Sequence, residues 1–217
     1  MKGPVRFLWS PGSEAGAGGR VAPAATACAA AALAQGAALK MIVERPEFSH
    51  KDAPPVSAGY WAVGASVACV ALAAWFIRAT LIELTLDLKR KQRNMRSTLR
   101  ATAWIAALAA GIGAAWGFAA VAAVPKGAPP VIEFKEGDPT TKATVAPTLW
   151  VLTVPFAVIW AWRAVWDGRA AAKLYGKPVW LAVLVSVAAG LVALLLAFIA
   201  VPSAAAQYDR ITHAFSK

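Results

Sequence analysis

Of the 217 residues, 59% are hydrophobic and only 15% are charged, yet the formal net charge is +11. Soluble domains carry about 25% charged residues, so composition excludes an ordinary water-soluble domain, and a mean hydropathy of +0.56 points the same way. The charges are also clustered, and the gaps between clusters approach the roughly 20 residues that a helix needs to cross a bilayer. The chain therefore reads as all-α, a polytopic transmembrane helical bundle with four strong spans and one weak, Ala-rich N-terminal span. A membrane β-barrel is excluded, because its strands would alternate apolar and polar residues over segments of about ten.

Residues 1–20 include the Gly- and Ser-rich "SPGSEAGAGGR" and read as a flexible N-terminal segment on the cytoplasmic side. Residues 21–43, "VAPAATACAAAALAQGAALKMIV", form the weak span. Alanine is close to neutral for membrane insertion, whereas Leu and Ile favour it. Three arrangements fit this stretch: a span, a helix lying against the others, or a cleaved signal with a small-x-small site at Ala32 to Ala34. The retained membrane helix is the preferred one, since a signal's basic leader would be long here and interrupted by Pro and Gly.

The first strong span is 60–77, with no charge in it, and the basic segment 78–100 follows. Its Lys89, Arg90, Lys91, Arg93, Arg96 and Arg100 lie between two apolar stretches. Such a cluster holds its loop on the side where the chain is not translocated. With five spans, fourteen of the 22 basic residues and four of the 11 acidic ones fall on that side. Those six cations are also candidates for contact with anionic lipid headgroups or an acidic partner. No Gly or Pro occurs between Gly64 and Gly111, so nothing stops a helix at the membrane surface. The chain turn is expected near Asn94 to Thr98, and the alternating "LIELTLDL" leaves a short strand as a second option.

The remaining spans are 101–124, 147–166 and 179–201, separated by an outer loop at 125–146 and followed by an outer-side tail at 202–217. Helices in lipid associate through small residues that let backbones approach. Gly113 with Gly117, Gly64 with Ala68, and Ser186 with Gly190 are the candidate packing faces. Seven tryptophans, including Trp75 and Trp180, sit near span ends, where an indole suits the headgroup region. Trp116 and Trp160 lie deeper, as contacts for another helix, a lipid or a pigment. Pro155 is expected to kink its span. Arg163 is a charge inside a span and hence a candidate intramembrane polar site. Its simpler role is to pair with Asp167 one turn on and reach toward the interface.

The chemistry of an enzyme is missing. His50 and His213 fall in a loop and the tail, Cys28 and Cys69 have no metal-ligand spacing, and no phosphate loop or nucleophile motif occurs. No carboxylate is expected within a span. No cofactor is evident, although a bound lipid, or a pigment or quinone, fits the composition. The expected function is a non-catalytic subunit that packs, stabilises or helps assemble a larger inner-membrane complex. Its partners are other membrane-protein subunits and anionic lipid, and no nucleic acid is implied. The alternative is a small permease or channel component for a neutral or anionic solute. The expected setting is an energy-transducing or plasma membrane, with basic loops on the cytoplasmic, matrix or stromal side and the C-terminus opposite.

Overall fold

The structure, a computed structural model, describes residues 20–45, 59–87, 95–126, 132–133, 144–145 and 147–215. It is helical: α1 (Ala22–Glu44), α2 (Tyr60–Leu86), α3 (Met95–Ala123), α4 (Pro147–Tyr175) and α5 (Val179–Phe215). A two-residue antiparallel pair, β1 (Ile132–Glu133) with β2 (Thr144–Val145), lies between α3 and α4 and joins Ile132 to Val145. Among the described residues four helical segments are long and apolar enough to cross a membrane: Ala22–Glu44, Tyr60–Leu86, Met95–Ala123 and Val179–Leu196. The protein is an integral membrane protein with transmembrane helices. The Ala-rich α1 is one of these four.

The helices overrun the expected spans. α2 continues nine residues past Ile77, and α3 begins six residues before Ala101. Met95 to Thr98 of the expected turn are therefore helical, Asn94 lies outside the described residues, and the strand option for "LIELTLDL" gives way to helix through Leu86. Gly- and Pro-free sequence rich in Ala, Leu and Arg has no reason to stop at the interface. α4 runs to Tyr175, and α5 runs to Phe215 through the expected tail.

Sequence sets the helix ends locally. Pro147 occupies the first position of α4, where its missing N–H costs nothing. At the other end Gly176 takes φ 60°, a left-handed conformation that only glycine adopts freely. The Lys177 N–H then reaches back to the Ala172 carbonyl at 3.1 Å, a glycine cap that closes the helix. Pro178 follows, and its carbonyl accepts the Ala182 N–H at 3.2 Å to open α5. Three residues thus join α4 to α5. Within α2, polar side chains satisfy themselves: Ser66, Thr80 and Thr85 donate to the carbonyls of Ala62, Phe76 and Leu81 at 2.7–2.8 Å.

The chain divides into two compact units. One comprises Met1–Ala25, Val70–Ile105 and Ala164–Lys217, the other Thr26–Cys69 and Ala106–Arg163. In the first, Ile82 and Leu86 pack with Ala171, Ala172, Tyr175, Ala182 and Ala189. In the second, α1 is held by close approach. A Cβ added to Gly36 would lie 2.6 Å from the Gly64 Cα, and one on Gly117 would lie 2.9 Å from the Ala38 Cβ.

Candidate functional site

The most concentrated polar chemistry lies in the first unit, on α2, α4 and α5. Arg78 is 2% exposed, while Asp167 and Ser186 are fully buried at 0%. The Arg78 Nε stands 2.8 Å from the Asp167 Oδ2, and its Nη2 donates to the Ser186 Oγ at 2.9 Å. One guanidinium therefore ties three helices together. Burying an ion of either sign is costly unless it is paired and hydrogen-bonded, and the fork geometry of Arg serves two acceptors at once. The three side chains fall on separate helices because α2 and α4 run past the expected span ends. Arg78 begins the expected basic loop, and Asp167 follows the expected end of its span.

This corrects one expectation. Carboxylates do occur inside the helices, Asp167 in α4 and Glu83 in α2. Asp167 is held by Arg78 across helices, a pairing that spacing along a single helix does not reveal. Arg163 itself is half-buried.

Two further bonds stitch the same unit. Trp75, expected in the headgroup belt, is buried, and its Nε1–H reaches the Thr102 Oγ1 at 3.0 Å and the Leu99 carbonyl at 3.2 Å. Thr98 and Tyr175 share a hydrogen bond of 2.5 Å between hydroxyls. Gly168 is a position that sequence reasoning missed. A Cβ there would lie 2.5 Å from the Val183 Cα, so α4 and α5 meet at backbone distance. The available signal is the small-xxx-small spacing of Ala164, Gly168 and Ala172, which an Ala-rich chain repeats too often to single out.

In the second unit, Gly113 faces Gln35 and Phe156, which a Cβ would meet at 3.2 and 3.3 Å, and Gly117 faces Ala38 and Ile42. Gly64 faces Leu33 and Gly36, and Ala68 is buried. Gly36 was not expected as a contact. Pro155 lacks the N–H that would bond the Val151 carbonyl four residues back. The Trp116 indole N–H donates to that carbonyl instead, at 3.1 Å, so a deep tryptophan repairs the gap the proline leaves. Arg45 caps α3, donating to the Val121 carbonyl and, at 3.0 Å, to the Val124 carbonyl. Lys40 pairs with Glu44 at 2.8 Å, and the Tyr60 hydroxyl donates to the same carboxylate at 2.5 Å.

Of the expected headgroup cations, Arg96 is exposed and Arg100 buried at the start of α3, while Lys89, Arg90, Lys91 and Arg93 lie outside the described residues. Ser186 is bound to Arg78, and Gly190 is buried. Cys28 is buried, whereas Cys69 is exposed. Among the described residues no group of three or more His, Cys, Asp or Glu is arranged to hold a metal ion. Comparison with known proteins returns no matching family model, no matching curated protein and no matching solved structure.

Proposed function

We propose that this protein is a non-catalytic membrane subunit that packs against, stabilises or helps assemble a larger complex of an energy-transducing or plasma membrane. In this reading its basic segments face the cytoplasm, matrix or stroma, and its C-terminus faces the opposite side. The observation that carries the reading is the use made of the polar groups within the helices. Arg78 engages Asp167 and Ser186, Trp75 engages Thr102, Trp116 engages Val151, and Tyr175 engages Thr98. Each bond joins one helix to another, which is the chemistry of a scaffold.

The alternative, a permease or channel component, draws on Pro155, Ser186 and Arg163 as polar or kinked points. The packing role is favoured because the backbone gap at Pro155 is filled by Trp116, and Ser186 already serves Arg78. Co-purification in mild detergent, with mass spectrometry of what travels with the tagged chain, tests the proposal. Stoichiometric partner subunits are expected. A lone chain that moves solute across reconstituted vesicles would overturn it.

A further inference from the structure

We infer that the corner between α4 and α5 is a binding site for the headgroup of an anionic phospholipid, separate from the basic segment 78–100. From Gly168 to Trp180 the sequence is "GRAAAKLYGKPVW", with three cations and no acid. Arg169, Lys173 and Lys177 are all exposed. Arg169 and Lys173 are four residues apart and therefore lie on one face, about 6 Å from each other. The Arg169 guanidinium lies over the Trp166 ring, 5.1 Å from its centroid, in a cation–π contact. Such a contact uses no hydrogen-bond acceptor, and a guanidinium's N–H groups suit a phosphate. Lys177 is fixed by the glycine cap at Gly176, whose left-handed φ of 60° turns the chain sharply.

Charge alone would suit an acidic protein segment equally well. The surface beside it favours a lipid. On α5, Trp180, Leu184, Leu191 and Leu195 are 66%, 58%, 53% and 60% exposed. Their spacing of four, seven and four puts them on one stripe, with exposed Ala188 between. At 1.5 Å per residue the stripe runs about 22 Å from the turn, more than the roughly 15 Å depth of one leaflet's hydrocarbon. A cationic corner opening onto a continuous apolar stripe matches a molecule with an anionic head and long acyl chains. An acidic peptide would leave the stripe unexplained.

The test is competition in native mass spectrometry. The full chain, purified in mild detergent, is offered equimolar phosphatidylglycerol and phosphatidylcholine, and the retained lipid is counted. The wild type should keep phosphatidylglycerol in preference. R169Q or K173Q should each lower that ratio about fivefold, the weight of one interfacial cation. Unchanged melting temperatures establish that these variants fold. K177Q, which changes only a turn side chain, provides a second reading should either helix variant fail to fold. The neutralised segment K89Q/R90Q/K91Q should keep the corner's contribution, so adding R169Q to it lowers the ratio further. Excess inorganic phosphate should leave the lipid bound. The inference is overturned if R169Q, K173Q and K177Q all retain the wild-type ratio. It is overturned equally if free phosphate displaces the lipid, or if the variants lose a co-purifying acidic protein while lipid preference stands.

Discussion

The buried triad allows a sharp test of what holds α2, α4 and α5 together. Removing Asp167 as D167A leaves the Arg78 guanidinium in a site where it is 2% exposed. The ions are in contact at 2.8 Å. Their attraction at an effective dielectric of about 20 is roughly 6 kcal/mol, and stranding one member of such a pair costs about 3–5 kcal/mol. For a chain of this size each kcal/mol shifts the melting midpoint by about 2–4 °C, so D167A should melt roughly 6–20 °C lower. R78L should behave alike. R78L/D167L removes both charges and lets apolar side chains meet, so its midpoint should lie near the wild type, far above the sum of the single losses. The assay is tryptophan-fluorescence melting of the full chain in detergent, with all four corners of the cycle measured. A D167A midpoint within 2 °C of wild type would refute the reasoning, and so would a double variant that loses the sum of the two singles.

The other predictions rest on single contacts. W116F leaves the Val151 carbonyl without its indole donor and should cost about 1–3 kcal/mol. In a P155A background the restored N–H at 155 takes that carbonyl, so the cost of W116F should shrink, a coupling that a melting cycle reads directly. G168A drives a Cβ to 2.5 Å from Val183 backbone and should destabilise by at least about 1–3 kcal/mol. Gly111 is in a helix with nothing within 4 Å of an added Cβ, so G111A should stabilise by as much as about 1 kcal/mol in the same melts. R45Q withdraws the guanidinium from the Val121 and Val124 carbonyls, and faster amide exchange confined to the last turn of α3 is the expected signature.

What the sequence disclosed follows from the range of each physical signal. Apolar length and charge clustering are local, and they place all five helices with starts that agree closely at Ala22, Tyr60, Pro147 and Val179. Helix ends were harder. Nothing in the run from Gly64 to Gly111 stops a helix, and α2 continues past the span end at Ile77 to Leu86. Arg78 and Asp167 both lie just beyond the expected span ends, where apolar length carries no information about partners. Their pairing joins residues 89 positions apart and leaves no trace in local spacing. The Trp116 bond to Val151 was half legible, since Pro155 announces a freed carbonyl but not its donor. Gly36 and Gly168 show the limit of small-residue motifs: Ala32 stands four residues before Gly36, and Ala164 and Ala172 flank Gly168 at the same spacing, but in so Ala-rich a chain such matches are too common to flag a contact.

In the proposed role this chain stabilises a larger membrane complex. Native gel electrophoresis of mild-detergent extracts, with and without the gene for this chain, is the decisive test. The chain should migrate within an assembly much larger than its own 22.6 kDa, and that assembly should shrink or be depleted when the chain is absent. A chain that migrates alone, or an assembly of unchanged size and abundance without it, would rule the role out.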